Sequence, residues 1–384
     1  MLFSHSVAVL LTSWSDKLEK RAGIPVWDGH RRILNGARYK KTLEAHTMSD
    51  SKERLTASVS DAELQRRWKL AREVMGEHEV DYLLMRADEE FLGGYVRWFS
   101  DFPARHSYPL TVIFAADDEM TLIAVGPWPP GDPFPPEWAV RGVKQRLSAP
   151  YFPSVRYTSS YDAELAARVL GERRGAAVGI VGRSFIPVNF HEHLVNRLRG
   201  CKFVEMTDAV DRIKAVKSKE EIGWIQKTAA IQDAAIEQVR HIIKPGLHDF
   251  EVMAEAQYAT AKNGSGRQLI LVASGPKGVP VPFQPRHMQN RVIREGDQVS
   301  VLIEVNGPAG YYTEIGRIFS LGEPSQELRD AFGFAVQAQQ HCREIICPGA
   351  SPEEILQAVN GFTTSRGYGA ELRLFAHGQG YDLA

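Results

Sequence analysis

One phrase occurs twice in this sequence, about a hundred residues apart, and it limits the folds that the chain can adopt. The segments RHIIKPGLHDFEV (240–252) and REIICPGASPEEI (343–355) both end a helical pattern in Ile-Ile-x-Pro-Gly and then restart with acidic residues. Proline cannot continue a helix and glycine supplies the turn, so each copy predicts two helices joined by a sharp turn. Because helical segments of similar length follow both copies, the repeat predicts two similar α/β halves in the C-terminal part of the chain.

The preceding segment has a different pattern, in which short apolar runs alternate with helical ones. Strand patterns at 110–115 and 121–125 flank a polar tip and predict a hairpin, and Ser60 is placed to cap a helix with an acidic first turn. A helical pattern at 162–170 leads to an apolar strand at 177–181. We therefore predict an α/β (α+β) protein with three parts: an extension outside the fold at 1–58, an N-terminal mixed-sheet domain at 59–206, and a second domain at 207–384.

Composition excludes several classes of protein. The 384 residues include 46 Lys and Arg against 47 Asp and Glu, a net charge of −1 that gives no basis for nucleic-acid binding. The three cysteines lack metal-ligand spacing, and no apolar run reaches the length of a membrane span. The sequence therefore predicts a cytoplasmic protein with neither a nucleic-acid nor a membrane partner.

The chemistry is expected at a hairpin between the two copies of the repeat. Strand patterns at 299–304 and 311–319 enclose the turn cluster Asn-Gly-Pro-Ala-Gly. Glu304 and Glu314 are nearly equidistant from the turn and have the same parity, so both carboxylates should project from one face. Two like charges on a buried face are unfavourable unless a cation or a proton lies between them, and this favours a hard metal ion.

A histidine near the end of the chain completes this candidate site. In FAHGQGYD (375–382), Gly378 and Gly380 leave room for close approach around His377. An imidazole that joins two carboxylates would form a mixed nitrogen and oxygen metal shell.

These segments, in this order, resemble the pita-bread metallopeptidases, which include aminopeptidase P, prolidase, methionine aminopeptidase and creatinase. The resemblance covers about 208–384 and rests on RIKAVKSKEEIGWIQKTAAIQDAAI (212–236), IIKPG, REGD (294–297), GYYTEIGRIF and AHGQG. The N-terminal domain is similar, on architectural grounds, to that of the creatinase and prolidase branch. The resemblance implies a creatinase/prolidase-like domain followed by a pita-bread domain with internal pseudo-symmetry.

The family implies two divalent metal ions (manganese, cobalt or zinc) held by two Asp, one His and two Glu, with a bridging hydroxide that attacks a carbonyl. Carried over by position, Glu304 and Glu314 stand where the two Asp are usual, and His377 matches the metal-binding His. A proton-shuttling His often precedes the hairpin in this family, and His287 is the nearest candidate for that catalytic role. No site for another cofactor is predicted.

This chain departs from the family pattern in two ways. Both hairpin Asp ligands are replaced by Glu, which is one methylene longer but keeps the carboxylate chemistry, and this favours a specialised site. The two Glu ligands expected further on would lie beyond Ala384. We therefore expect a C-terminally truncated, incomplete pita-bread domain with at most three of five ligands.

The leading functional prediction is a metal-dependent hydrolase resembling Xaa-Pro aminopeptidase and prolidase, acting on a peptide or small amide as a homodimer. Two alternatives stay open, because a fold does not define the bond that is broken. One is a creatinase-like hydrolase or lyase acting on a small molecule, and the other is an inactive binding module.

Overall fold

The computed structural model describes residues 52–92, 94–105, 107–125, 133–149, 160–371 and 376–383. The chain divides into two compact units, Met1–Arg54 and Leu55–Ala384. In the first unit only the 3₁₀ turn Lys52–Arg54 is described, so most of the predicted extension at 1–58 lies outside the described residues.

Six strands of the second unit form a mixed sheet in the order β4-β3-β2-β1-β5-β6. They are β1 (Tyr82–Ala87), β2 (Leu110–Ala115), β3 (Met120–Val125), β4 (Val143–Ala149), β5 (Ala177–Ile180) and β6 (Lys202–Glu205). Strand β2 pairs antiparallel with both β1 and β3, and the remaining neighbours are parallel. The predicted hairpin is confirmed, because a polar tip joins β2 directly to β3.

Helices cover both faces of this sheet. They are α1 (Asp61–Glu77), α2 (Gly94–Ser100), α3 (Tyr161–Gly171) and α4 (Val188–Arg197). Successive side chains of β1 enter different apolar cores: Leu83 and Met85 pack in one, and Leu84 packs in the other. Alternation across a strand explains why β1 reads as a continuous apolar run, since both of its faces are buried.

Three further helices follow the sheet: α5 (Thr207–Ala215), α6 (Lys219–Ile242) and α7 (Asp249–Lys262). Two helix starts are set by local sequence. The Ser60 hydroxyl accepts from the backbone N–H of Glu63 at 3.1 Å, which confirms the predicted cap of α1. Ser218 and Glu221 form a reciprocal capping box at the start of α6.

Replacing Ser218 with alanine is expected to lower the free energy of unfolding by about 1 kcal/mol, because the backbone N–H of Glu221 loses its acceptor. Urea unfolding followed by circular dichroism measures the change. Ser351→Ala is the matched control, since Ser351 precedes a helix but its side chain makes no capping hydrogen bond. Equal losses of unfolding free energy in the two variants would contradict the assignment of Ser218 as the residue that caps α6.

A second sheet contains β7 (Gln268–Gly275), β8 (Gln298–Asn306) and β9 (Tyr312–Ser320), paired antiparallel in chain order. One face of β8 packs against α6 and α7 through apolar side chains: Val299, Val301, Ile303 and Val305. The even-numbered residues of β8 therefore project from the opposite face.

The repeated phrase forms the predicted helix, turn and helix in both copies. Helix α6 is followed by α7, and α8 (Gln326–Ile345) is followed by α9 (Pro352–Thr364). The turn glycines, Gly246 and Gly349, have φ values of 94° and 87°, a left-handed conformation that favours glycine. Within the described residues, the similarity of the two halves extends over these helix pairs. None of the described helices has both the length and the apolar character needed to cross a membrane.

The turn before β8 contains a carboxylate held by three donors. Asp297 accepts hydrogen bonds from the Arg291 guanidinium at 2.6 and 3.1 Å and from the backbone N–H of Arg294 at 2.7 Å. Burial alone would raise the pKa of Asp297, but these donors outweigh it and hold the pKa below its ordinary value.

Because the folded-state pKa of Asp297 is lowered, its stabilisation is present above the unfolded pKa near 3.9 and is lost as the pH falls through the lower folded value. We expect Asp297→Asn to destabilise the protein at pH 7, with a difference from wild type that shrinks below about pH 4. Urea unfolding between pH 7 and pH 3 measures it. Asp233→Asn, at an exposed position of α6, is the control. A difference that does not depend on pH would contradict the expectation.

Candidate functional site

The predicted pair of glutamates lies at one step of the β8–β9 ladder. Glu304 is directly opposite Glu314, so their side chains share the face that points away from α6 and α7. Glu304 is 2% exposed, whereas the Glu314 side chain is 28% exposed. The structure therefore brings these two residues together, one buried and one open to solvent.

The next step of the ladder on the same face pairs Asn306 with Tyr312. The Asn306 side-chain oxygen accepts from the backbone N–H groups of Gly266 and Arg267 at 2.9 and 2.8 Å, which anchors the loop before β7. Tyr312 is fully buried, and burial followed by the Glu90 carboxylate raises the pKa of its hydroxyl. That hydroxyl has no hydrogen-bond partner within the described chain.

His377 approaches this face from the segment that follows α9. Its Nε2 lies 3.2 Å from Oε2 of Glu314, and its Nδ1 lies 3.1 Å from the carbonyl oxygen of Gly378. A carbonyl oxygen only accepts, so the Nδ1 contact is a hydrogen bond in the tautomer that carries a proton on Nδ1. In that tautomer the Nε2 contact is a hydrogen bond only if Nε2 or the Glu314 carboxylate also carries a proton. When both hydrogen bonds are made, His377 and Glu314 share one proton, as an imidazolium and a carboxylate or as an imidazole and a carboxylic acid.

His377 lies on the wall of a cavity of about 480 Å³. Aromatic and charged side chains line most of the cavity: Trp98, Asp211, Lys214, Lys217, Glu221, Tyr311, Tyr381 and Asp382. The backbone of residues 378–380 forms another part of the wall, and a Cβ atom added at Gly378 would meet no atom within 4 Å. His377 therefore has open space beside it.

A buried guanidinium supports one side of the cavity. Arg67 of α1 is 0% exposed and donates to Glu63 Oε1 at 2.7 Å, to the Tyr311 hydroxyl at 2.7 Å and to the Tyr381 hydroxyl at 3.2 Å. Its guanidinium carbon also lies 5.6 Å from the centre of the Trp98 ring. This one side chain thus connects the first helix with residues that precede β9 and follow α9.

A second carboxylate completes the buried network. Glu221 of α6 accepts from the Tyr311 hydroxyl at 2.9 Å through Oε1 and from Arg66 at 2.8 Å through Oε2, and its Oε1 also lies 3.4 Å from the Arg67 guanidinium. Both carboxylates of the network are therefore paired, as buried charges must be. Sequence reasoning did not identify Arg67, Glu221 or Tyr381, because a charged residue in an amphipathic helix normally indicates a solvated face.

The segment at 376–383 is held against the rest of the site by its own hydrogen bonds. The backbone N–H of Tyr312 donates to the Gly380 carbonyl at 2.7 Å. The Asp382 carboxylate accepts from the backbone N–H of Gly94, the first residue of α2, at 2.9 Å. These contacts position His377 beside the hairpin.

His287 lies elsewhere on the chain surface. It belongs to the 3₁₀ turn Arg286–Met288, its side chain is exposed, and it does not line the cavity that contains His377. Its catalytic role stays a prediction.

The described residues include no group of three or more His, Cys, Asp or Glu side chains placed to hold a metal ion. Glu314 and His377 form a pair, in which His377 Nε2 lies against the Glu314 carboxylate. As placed, these donors do not fit the two-metal centre implied by the resemblance. The assignment of Glu304, Glu314 and His377 as metal ligands stays a prediction.

Comparisons with known proteins identify the family. A protein-family model described as metallopeptidase family M24 matches residues 223–384 of this chain. An uncharacterized hydrolase/peptidase, y4tL of Sinorhizobium fredii, is 30% identical over 312 residues, covering 77% of this chain and 75% of the relative. The probable dipeptidase PepE of Mycobacterium tuberculosis is 29% identical over 221 residues, and the match spans 57% of this chain and only 56% of PepE.

A solved structure has a similar fold. The recombinant prolidase of Thermococcus sibiricus superposes with a TM-score of 0.66 at 20% identity, covering 85% of this chain and 83% of the prolidase. At this identity the likeness shows the fold alone. The chain therefore belongs to metallopeptidase family M24, which confirms the predictions of a peptidase-like hydrolase and of a mixed α/β fold.

Proposed function

We propose that this chain hydrolyses the amide bond of a small Xaa-Pro peptide in the cavity beside His377. The observation that carries the proposal is the 3.2 Å contact between His377 Nε2 and Glu314 Oε2, at the wall of a cavity large enough for a dipeptide. A relative from Pyrococcus furiosus, 26% identical over 191 residues, is named Xaa-Pro dipeptidase, and this supports the choice of substrate.

The proposed reaction uses a proton carried by the pair. Water adds to the amide carbonyl, a C–O bond forms, and the C–N bond then breaks. The Glu314 carboxylate accepts a proton from the attacking water and delivers it to the departing nitrogen, while His377, whose Nε2 lies 3.2 Å from Glu314 Oε2, holds that carboxylate in place. Glu304 lies buried on the same face, directly opposite Glu314.

Binding of the two divalent ions implied by the resemblance needs its own test, because the described residues contain no group of three or more donors placed to hold a metal ion. No step above is assigned to a metal. Glu304 and Glu314 are proposed to occupy the positions of the two hairpin Asp ligands of the family. Calorimetric titration of the wild-type protein, Glu304→Gln and Glu314→Gln with MnCl₂ tests this proposal. Binding by the wild type that both variants lose would support it, and equal binding by all three proteins would contradict it.

Release of free proline from L-Ala-L-Pro, followed by liquid chromatography, tests the proposed function. L-Ala-L-Ala serves as the comparison substrate, because it retains the dipeptide charges but lacks the proline ring. Faster hydrolysis of Ala-Pro supports the proposal, and the absence of hydrolysis by protein with a normal melting transition contradicts it. The homodimer is a further proposal that rests on the family resemblance. The cytoplasmic location and the division at 206/207 are proposals that rest on the composition and on the residue pattern of the sequence.

A further inference from the structure

Two of the three carboxylates that line the cavity share one lysine. Asp382 lies 3.4 Å from the Lys214 ammonium and also accepts from the backbone N–H of Gly94. Asp211 lies 3.8 Å from the same ammonium and accepts from the Tyr95 hydroxyl at 2.9 Å. Both carboxylates and Lys214 therefore have partners within the protein.

The third carboxylate belongs to Glu221 and is already saturated. It accepts from the Tyr311 hydroxyl, from Arg66 and from the backbone N–H of Ser218, the last at 2.8 Å. Lys217, next to it in the cavity wall, has no hydrogen-bond or ion-pair partner within the described chain. One cation of the cavity is thus left without a counterion at contact distance.

The position of Lys217 makes it accessible to a bound molecule. Its side chain is half-buried, and its Nζ would lie 3.9 Å from a Cβ atom added at Gly380, so the ammonium lies along the glycine-rich wall that continues from His377. Burial lowers the pKa of Lys217, which reflects the cost of an ammonium in this position, while Glu221 and Asp382 favour the charged form.

A second donor of the cavity wall is also unsatisfied. Trp98 is 1% exposed, and its indole N–H has no acceptor in the described part of the chain. A buried donor without an acceptor is costly, so the Trp98 indole, together with the half-buried Lys217 ammonium on the same described cavity wall, indicates a ligand that offers acceptor oxygens. A carboxylate offers two oxygens and the negative charge that complements an ammonium.

We propose that Lys217 is the anchor of an anion subsite that binds the free carboxylate of a small amide substrate, such as the C-terminal carboxylate of a dipeptide. This assignment rests on the proposed function only in identifying the carboxylate as part of a substrate. Lys217 is then a specificity residue that favours substrates with a free carboxylate over capped or longer peptides. Glu314 and His377 serve the proton transfer.

Two probes that differ only in the carboxylate test the subsite without turnover. Titration calorimetry compares N-acetyl-L-proline with N-acetyl-L-prolinamide on the wild type, Lys217→Gln and Lys217→Arg. We expect the wild type to prefer the acid, Lys217→Gln to weaken acid binding by about tenfold or more, and Lys217→Arg to restore most of it. Lys262→Gln, an exposed lysine of α7, is the matched control and should leave both affinities unchanged.

A kinetic experiment separates this proposal from the proposed function. With Ala-Pro and its C-terminal amide as substrates, Lys217→Gln should raise KM for the acid alone by about tenfold. If Ala-Pro is not hydrolysed but the acid preference disappears in Lys217→Gln, the subsite stands and the proposed function fails. If Ala-Pro is hydrolysed and Lys217→Gln changes neither KM nor the preference, the subsite is overturned and the function stands.

Discussion

Replacing Arg67 with methionine is expected to lower the free energy of unfolding by about 3–5 kcal/mol. The arginine is fully buried, and its removal takes away the donor to the Tyr311 and Tyr381 hydroxyls and one of the donors to Glu63, which keeps Arg66. Methionine fills part of the volume but donates no hydrogen bond, so most of the loss comes from buried oxygens that lose a charged donor rather than from packing. Urea unfolding at pH 7, followed by circular dichroism, measures the change.

Lys69→Met is the control for this experiment, because it removes a positive charge from the same helix at a position that is 78% exposed. Its ion pair with Glu73 spans 3.8 Å at the surface, so we expect a change of no more than about 1 kcal/mol. A loss in Arg67→Met no larger than that of the control would show that the buried network does not hold α1 to the cavity wall.

Replacing His377 with alanine is expected to reduce kcat/KM for Ala-Pro by about 100-fold or more, with little effect on stability. The imidazole holds the Glu314 carboxylate that transfers the proton in the proposed reaction, and its side chain is 31% exposed, so its removal creates no buried cavity. Steady-state hydrolysis measures the loss, and thermal unfolding checks that the variant is folded.

Two other histidines define the specificity of this result. His241→Ala, at an exposed position of α6, should retain wild-type activity. His287→Ala tests the shuttle role predicted for that residue from the sequence, and a loss comparable to that of His377→Ala would assign the role to it. Wild-type activity in His377→Ala would contradict the proposed reaction.

Local chemistry explains why much of the fold could be predicted from the sequence. Pro245 and Gly246 end one helix because proline lacks an N–H and glycine accepts a left-handed conformation, and both effects act within a few residues. Glu304 and Glu314 were expected on one face because side chains alternate along a strand, so the position of the turn is enough to assign each residue to a face. The observed register pairs the two residues directly.

The cavity depends on contacts that no local pattern contains. Arg67 meets Tyr311 and Tyr381 across 244 and 314 residues of sequence, and α1 alone predicts only an amphipathic helix with a charged side chain. The same holds for Lys217, because its lack of a partner among the described residues depends on which groups the neighbouring side chains contact.

The amino-acid order thus determined the helix ends, the hairpin and the parity of its two glutamates, since these follow from backbone sterics and side-chain periodicity over short distances. The packing of distant segments decided which charges become buried and which of them are paired. It also decided which donor of the described residues has no partner and can bind a ligand. Burial makes each unpaired charge costly, and burial is a property of the assembled chain.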